Sequence, residues 1–440
     1  MSGGVDSSLT LRLLANLPLN LTVLFMRNWD PLLSEESTDS SRDAGSSRQP
    51  NMSPCAWERD WADVKRVCAH VGIPERDISL LDLSKEYWSR VFEPAVAVWE
   101  AGQTPNPDVA CNREIKFGAL MQHIKPGHYL ATGHYARVVR SDASHATLHR
   151  AIDSNKDQTY YLSQVPGHQL AKAVFPLAGI PKPSVRELAA HFELPTATRE
   201  ESMGVCFIGE RGHFGDFVSQ YTSPPSTTGY LVDTAGKRYG AHRGSHYYTI
   251  GQRARVGGMD GRWFVAQKGV GENGNDILLV QGADHPALQC KELDCGEFNW
   301  IAGVPPPEMD GSGVLDAMVQ VRHRMSAVPA QRAHHFRRAG GRRRAGADRG
   351  RVERRAVPRE RADRHHEVLG VDLYHLHHYL HHSLYNTIDT MQSLASARFL
   401  PCLSPPFFLP SMIPQSSPTS PSLAPPSLQL TFSATHISLI

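Results

Sequence analysis

Long apolar runs are missing from this chain of 440 residues. No stretch reaches the roughly 18 residues that a membrane-spanning helix needs, so the sequence predicts no membrane partner. Cysteine is also scarce: the seven present are too few for a disulfide scaffold, and their odd number favours a reducing compartment. The net charge is only +2 and 40% of the residues are hydrophobic, which argues against wholesale disorder. This length predicts roughly two to four globular domains.

Lysine is absent after Lys291, although arginine is not. Residues 331–370 contain 13 arginines against 5 acidic residues, whereas residues 1–330 carry a net charge of −5. Apolar periodicity is lost over the same basic stretch, and residues 399–427 are rich in proline and serine. We therefore interpret residues 331–440 as a low-complexity tail that is disordered or mistranslated, as an intron-derived or out-of-frame stretch would be.

Two functional interpretations of this tail stay open. An arginine-rich arm of this kind can become ordered on a nucleic acid. Nine histidines lie between His334 and His382 and suggest a metal site, although they lack regular ligand spacing.

Apolar patterns in the first half of the chain predict an α/β fold. Helical and strand patterns alternate: a helix from Leu9, a strand over 21–26, a helix over 57–71, a strand over 78–83, a helix over 87–101 and a strand over 129–133. Such alternation favours a parallel sheet covered by helices on both faces. Residues 34–54 are typical of a flexible insertion. From about Gly229, short alternating segments between glycine turns predict small all-β modules.

A glycine-rich motif directly precedes the first predicted helix. The motif is Ser2-Gly3-Gly4-Val5-Asp6-Ser7-Ser8. Two glycines let the backbone approach an anion closely, and the helix N-terminus and serine hydroxyls supply donors. No lysine follows, so this is not the GxxxxGK[ST] phosphate loop. An ordinary glycine-rich helix cap is the alternative.

Two cysteines lie in segments suited to reactivity. Cys111 follows a proline-rich segment, and we expect it at the start of a helix, where the dipole with Arg113 and Lys116 would favour thiolate. Cys206 lies within the apolar segment 204–210. For each, the alternative is a small buried hydrophobic side chain.

Together, these motifs resemble the tRNA-specific 2-thiouridylases, members of the PP-loop ATP pyrophosphatase superfamily. The matching segments, in order, are 2–8 (hereafter the PP-loop), 25–29, 104–117, 131–135, 153–158 and 204–210. The resemblance covers roughly residues 1–330. It implies an α/β fold with a parallel-sheet, Rossmann-like PP-loop nucleotide domain over 1–205. A small central tRNA-binding module would follow over 206–280, then an incomplete C-terminal β-barrel over 281–330.

The resemblance also implies a reaction, which is ATP-dependent replacement of the 2-oxygen of a wobble uridine by sulfur. ATP, with Mg²⁺, would adenylate that oxygen, and AMP and pyrophosphate would be released. Cys206 would receive sulfur as a persulfide from a donor protein. Cys111 would attack that persulfide or resolve the intermediate, leaving a Cys111–Cys206 disulfide.

The same resemblance assigns binding roles to particular residues. For ATP these are Ser2, Gly3, Gly4, Val5, Asp6, Ser7, Ser8, Met26 and Gly133, with Asp6 also placed to help hold magnesium. For the target base they are Asn106, Pro107 and Asp108. For other parts of the tRNA they are His134, Lys156, Asp157, Gln158, Arg322 and His323. The family has a tyrosine where His323 stands, which makes that contact a departure.

Both ends of the chain also depart from the family pattern. Family members have a buried strand before the PP-loop, so we expect the first strand to be missing here. Nothing in 331–366 matches the turn and strand that close the family's barrel. Eukaryotic members are mitochondrial and the intron-like tail favours a eukaryotic source, so we expect a mitochondrial protein, with the cytoplasm as the alternative. A monomer is expected.

Two other functions stay open. Another PP-loop ligase or amidotransferase would adenylate a carbonyl without using sulfur, and the paired Cys111 and Cys206 argue against it. An inactive tRNA-binding remnant is the second alternative, because both ends depart from the family.

Overall fold

The structure is a computed structural model. It describes residues 1–29, 56–141, 145–201, 214–224, 227–257, 260–290, 292–295, 298–307, 314–333, 350–353 and 436–439. The predicted insertion over 34–54 lies outside these residues, as do all nine histidines counted between His334 and His382. One compact unit comprises Met1–Leu369 with His436–Ile440, and the second, Gly370–Thr435, lies wholly outside the described residues.

Helices and strands alternate through the first half of the chain, as predicted. The helices are α1 (Val5–Ala15), α2 (Ala56–Val71), α3 (Ser84–Tyr87), α4 (Glu93–Glu100), α5 (Pro107–Ala110), α6 (Thr159–Leu162), α7 (Gly167–Leu170), α8 (Lys182–His191) and α9 (Phe214–Val218). The strands of this half are β1 (Asn20–Arg27), β2 (Ile78–Asp82), β3 (His128–Ala131), β4 (Ala136–Arg140), β5 (Ala146–Arg150) and β6 (Ala173–Val174). The later strands are β7 (Tyr230–Val232), β8 (Arg238–Ala241), β9 (Arg253–Ala254), β10 (Trp263–Val270), β11 (Asp276–Gln281), β12 (Glu292–Cys295), β13 (Val314–Val319), β14 (Val328–Ala333), β15 (Gly350–Glu353) and β16 (His436–Leu439).

A five-stranded parallel sheet organises the first half, with strand order β2-β1-β16-β3-β6. The place between β1 and β3 belongs to β16, which pairs through Ile437 with Leu21 on one side and Tyr129 on the other. The sequence led us to expect a sheet without its first strand. In the structure, a strand from the far end of the chain lies between β1 and β3.

The sheet separates two hydrophobic cores. On β3, Leu130 and Ala131 are both fully buried but belong to different cores, because successive strand residues point to opposite faces. Ala131 packs in the core that α1 and α2 cover, with Val64 and Cys68. Leu130 packs in the larger core, which includes Phe117. Helices therefore cover both faces, as predicted.

The predicted helix over 87–101 contains an irregular turn. Residues Trp88–Phe92 form a π-helical turn between α3 and α4. Pro94, in the first turn of α4, has no N–H, so it cannot make the regular bond to the carbonyl four residues earlier. This missing donor gives a physical reason for the irregular turn.

Two smaller sheets follow, as the alternating segments predicted. The first, with strand order β8-β7-β11-β10-β9, encloses its own core of Leu231, Val265, Ile277 and Leu279. The second has the order β12-β15-β14-β13, and β14 runs on to Ala333. The interval interpreted as a tail thus contributes the end of β14, all of β15 and all of β16. Among the described residues, no helix is both long enough and apolar enough to cross a bilayer.

Candidate functional site

The PP-loop lies at the start of α1 and folds back on itself. The hydroxyls of Ser7 and Ser8 both donate to the Gly4 carbonyl, at 3.0 and 2.9 Å. Gly3 has a φ of +74°, and a Cβ there would lie 2.8 Å from the Asp60 carbonyl oxygen. A Cβ on Gly4 would meet only the Ser2 hydroxyl, at 3.6 Å. The loop therefore needs glycine at residue 3 for its shape and keeps open space beside residue 4.

The carboxylate of Asp6, in the first turn of α1, is held from two sides. The Lys182 ammonium donates to its Oδ1 and Oδ2 at 2.7 and 2.8 Å. The Tyr135 hydroxyl donates to Oδ1 at 2.7 Å. Lys182 and Tyr135 are both buried, so these bonds are shielded from water.

Arg199 fixes the PP-loop to α2. Its guanidinium donates to the Gly3 carbonyl at 3.0 Å and to Asp63 at 2.6 Å, and it also pairs with Asp60. Although burial opposes its charge, these two carboxylates raise the pKa of Arg199. A cation at this point holds the backbone of the loop in one conformation.

Met26 and Gly133 lie near the carboxyl ends of β1 and β3, at the edge of the sheet that bears the PP-loop. A Cβ on Gly133 would lie 2.9 Å from the Asp6 carbonyl carbon and 3.0 Å from the Ser7 nitrogen, so residue 133 packs directly on the loop. Met26 is partly buried against the larger core. Ligands of open α/β sheets bind at this edge.

Residues 103–108, hereafter the base loop, lead into the helix that carries Cys111. Asn106 caps α5 by accepting from the Val109 N–H at 3.3 Å, and Pro107 is the first helical residue. Cys111 is 6% exposed and begins a π-helical stretch that continues α5. It therefore lies one turn inside the helix, where the dipole is weaker than we expected from the sequence.

Two charged side chains of this segment have partners elsewhere in the described chain or next to it. Arg113 donates to Glu114 at 2.6 Å and to Gln164 at 2.7 Å. The predicted effect of Arg113 and Lys116 on the Cys111 thiol stays a prediction. Burial raises the pKa of Asp108, while nearby Lys116 and His323 oppose the shift. The base loop is thus a partly buried site in which a carboxyl group retains its proton more readily than usual.

Cys206 lies outside the described residues, as does the whole segment 202–213. Its pairing with Cys111 stays a prediction. Two other cysteines provide a comparison: Cys290 is exposed, whereas Cys68 is buried. Burial raises the pKa of Cys68 to about 11, which makes its thiol a poor nucleophile.

Several residues after β3 match tRNA-contacting positions of the family. In the structure, their side chains form hydrogen bonds with other parts of this chain. The His134 ring is 8% exposed and shares a 2.7 Å hydrogen bond with the Thr132 hydroxyl. Burial, helped by nearby Lys116, lowers the pKa of His134 well below its usual value. Asp157 is 5% exposed and accepts from the Ala151 N–H at 2.9 Å.

Gln158 and Lys156 are bound in the same way. The Gln158 side chain accepts from the Tyr135 N–H at 2.9 Å. Lys156 forms an ion pair with Glu201, which also lies 3.4 Å from the Lys182 ammonium. The segment 153–158 therefore helps to position the residues that contact Asp6, namely Tyr135 and Lys182.

Arg322 and His323 lie between β13 and β14, and His323 packs against the first half of the chain. The His323 ring is 4.5 Å from that of Tyr161, and Tyr160 donates to the Val321 carbonyl at 3.2 Å. Arg322 lies close to Gly251. His323 is near enough to influence the base loop electrostatically.

The central sheet also contacts the base loop. Lys268, on β10, donates to the Gln103 carbonyl at 3.2 Å and to the Thr104 hydroxyl at 3.0 Å. Burial lowers the pKa of Lys268. The loop is therefore held at its start by the next sheet along the chain.

The donor set around the PP-loop fits a nucleotide with magnesium. The open space beside Gly4 admits a ligand that a side chain there would displace, and Asp6 supplies the hard oxygen that Mg²⁺ prefers. Among the described residues, no group of three or more His, Cys, Asp or Glu side chains could hold a metal. A magnesium ion at Asp6 would thus need phosphate oxygens and water to complete its shell.

Comparison with known families and proteins gives a consistent match. The model described as "tRNA methyl transferase HUP domain" matches residues 1–210, and that described as "tRNA methyl transferase PRC-barrel domain" matches residues 215–280. Curated relatives carry the name tRNA-specific 2-thiouridylase MnmA. One from Alkaliphilus oremlandii is 40% identical over 315 residues, covering 70% of this chain and 79% of the relative. One from Levilactobacillus brevis is 41% identical, covering 68% and 76%. One from Burkholderia multivorans is 40% identical, covering 78% and 83%.

The sequence did not point to three residues of this site. Lys182, Arg199 and Glu201 contact the PP-loop or its partners, yet they lie far from it along the chain. The prolines flanking Lys182 predict a helix start but give no sign of its partner. Their roles follow from the fold alone.

Proposed function

Because the chain belongs to the tRNA-specific 2-thiouridylase family, and is thus a sulfurtransferase, we propose that it thiolates tRNA in an ATP-dependent reaction. In this proposal, the 2-oxygen of the wobble uridine is adenylated and then replaced by sulfur from a cysteine persulfide. AMP and pyrophosphate are released. The observation that carries the proposal is the arrangement of the PP-loop. Its Asp6 carboxylate accepts hydrogen bonds from Lys182 and Tyr135, and the loop lies at the same edge of the sheet as Gly133.

ATP and magnesium would bind at the PP-loop. The residues that would hold them are the loop backbone, with Asp6 toward magnesium and Met26 and Gly133 toward the adenosine. ATP supplies the adenylyl group that makes the carbonyl oxygen of the base a good leaving group. The chain's own contribution is to keep the loop in one conformation, through Arg199 and the close packing of Gly133.

Sulfur transfer would use two cysteines. In this proposal Cys206 carries the persulfide, whose terminal sulfur is nucleophilic near neutral pH. Cys111 displaces or resolves that sulfur, and the two thiols end as a disulfide that an external reductant must reopen. The burial of Cys111 beside the base loop supports a role near the target base.

The base loop and the loop after β13 are the proposed tRNA contacts. A uridine must leave its stack to be reached by these groups. Asn106, Pro107 and Asp108 would meet the flipped base, and Arg322 and His323 would meet the tRNA beside it. We propose Lys156, Asp157, Gln158 and His134 as further tRNA contacts.

One assay separates this function from its alternatives. The protein is incubated with ATP, magnesium, a persulfide source and unmodified tRNA, and the tRNA nucleosides are measured by mass spectrometry. Thiolated uridine supports the proposal. Pyrophosphate without thiolated uridine favours a ligase or amidotransferase, and tRNA binding with neither product favours an inactive remnant.

Location, assembly and sulfur donor complete the proposal. We propose a mitochondrial monomer supplied by a separate persulfide donor protein, with the cytoplasm as the alternative location. The relatives named above are bacterial and lend no support to the mitochondrial location. Imaging of the tagged protein in its own cells, and its mass in solution by light scattering, would test the first two points.

A further inference from the structure

The strand β16 fills a gap in the middle of the parallel sheet. It pairs in parallel with β1 on one side and with β3 on the other, over the four residues His436–Leu439. Leu439 lies opposite Val23 on β1 and opposite Ala131 on β3. A strand in this place keeps β1 and β3 about 10 Å apart, which is twice the spacing of neighbouring strands. Without β16, the sheet would have an open gap between its two hydrophobic cores.

Backbone groups of β3 need this strand as a partner. The Leu130 N–H donates to the Lys172 carbonyl at 2.8 Å, on the side of β6. The Thr132 N–H donates to the Val174 carbonyl on the same side, at 3.0 Å. Because successive residues of a strand direct their N–H groups to opposite sides, Ala131 directs its own N–H toward β16. Ala131 is fully buried, so the loss of β16 would leave a buried backbone donor unpaired, which is strongly unfavourable.

The same gap lies next to the start of the PP-loop. The Met1 nitrogen donates to the carbonyl of Leu24, the residue that follows Val23 on β1. Met1 is 1% exposed and belongs to the same core as Val23 and Ala131. These two residues are the ones opposite Leu439. The PP-loop begins at the residue after Met1, so a change in β16 would reach the loop through this contact.

We propose that the space between β1 and β3 is a strand-accepting site, that residues 436–439 of the same chain are its occupant, and that their insertion positions the PP-loop for its ligand. The site recognises an extended backbone that can pair in parallel on both sides. Residues 354–435 separate β16 from β15 along the chain, so its insertion is not imposed by a neighbouring strand in sequence. Only the identity of the ligand at the PP-loop rests on the proposed function.

A disulfide between paired residues tests the occupant in the full chain. Thr22 and Ser438 are Cα partners on β1 and β16, and the spacing of neighbouring strands lies within the range that a disulfide spans. We expect a variant with Thr22→Cys and Ser438→Cys to form this bond within one chain under mild oxidation with diamide. The bond is identified by mass spectrometry of the digested protein.

The control variant carries Ala241→Cys with Ser438→Cys. Ala241 is exposed on β8, in a different sheet, so these two cysteines should not be linked. If residues 22 and 438 form no disulfide, or form one only between two chains, the proposed occupant is incorrect.

Nucleotide binding should in turn stabilise the inserted strand. If insertion favours the binding of a nucleotide, binding favours insertion by the same factor. Hydrogen exchange of residues 436–439 in the wild-type protein is measured by mass spectrometry, with and without magnesium and the analogue α,β-methylene ATP. We expect exchange to slow by up to about 100-fold when the analogue is present at about 100 times its Kd.

The exchange experiment separates two kinds of failure. Bound analogue with unchanged exchange at residues 436–439 would overturn the link between the strand and the PP-loop. Wild-type protein that binds no ATP analogue at all would count against the proposed function, and the disulfide would still decide whether the strand occupies the gap.

Discussion

Gly133 offers the sharpest test of how the PP-loop is positioned. Replacing it with alanine adds a Cβ that would lie 2.9 Å from the Asp6 carbonyl carbon and 3.0 Å from the Ser7 nitrogen. Ordinary contacts begin near 3.4 Å, so the loop must move by about 0.5 Å. Both neighbours are backbone or backbone-bound atoms, and they cannot move aside as the end of a long side chain would.

The magnitude follows from this displacement. Overpacking of this size costs about 1–3 kcal/mol of unfolding free energy. Because a 1 Å misplacement of reacting groups costs roughly 100-fold in rate, a shift of half that size predicts about a tenfold lower kcat/KM for ATP. Gly257→Ala is the matched control, since a Cβ there meets nothing within 4 Å and its φ is not positive.

The assay is steady-state release of pyrophosphate with saturating tRNA, together with thermal unfolding of both variants. We expect Gly133→Ala to lose activity and to unfold at a lower temperature than Gly257→Ala. If the two variants have the same kcat/KM for ATP and the same unfolding temperature, residue 133 does not support the loop.

Three further predictions concern other parts of the chain. Cys206→Ser and Cys111→Ser should each abolish thiolation while tRNA binding stays within threefold, and Cys290→Ser should match the wild type; residual thiolation in either of the first two removes that cysteine from the mechanism. Because burial lowers the pKa of His134, the unfolding free energy should fall as pH drops below about 6.5, by up to about 1.4 kcal/mol per unit, and chemical denaturation should show a flatter profile for His134→Phe. An unchanged profile would contradict that role. Lys268→Met should raise the KM for tRNA about fivefold without changing the KM for ATP, because Lys268 holds the base loop; equal effects on both substrates would contradict it.

Local elements were predictable because their causes are local. Alternation and helical spacing placed β1 within one residue at each end, and α2 likewise. The PP-loop could be recognised from the sequence because its conformation needs glycine at residue 3, where φ is +74°. Short-range chemistry of this kind leaves a signature in consecutive residues.

The rest depends on contacts between distant parts of the chain. The pairing of β16 with β1 joins residues more than 400 positions apart, and nothing in the pattern of 436–439 specifies its neighbours. Lys182 reaches Asp6 across 176 residues. The helix that carries Cys111 begins one turn earlier than the sequence led us to expect, because Asn106 caps it. Sequence patterns show which residues are chemically capable, and only the fold shows which of them meet.

The most direct test of the account is the ratio of products in a single reaction. Purified protein, unmodified tRNA, radiolabelled ATP, magnesium and a persulfide source are mixed, and AMP and 2-thiouridine are counted from the same sample over time. We predict one AMP for each thiolated uridine, with neither product formed when ATP is left out. Thiolated uridine formed without ATP, or AMP formed steadily while the uridine stays unmodified, would contradict the claim that one site activates the base and transfers the sulfur.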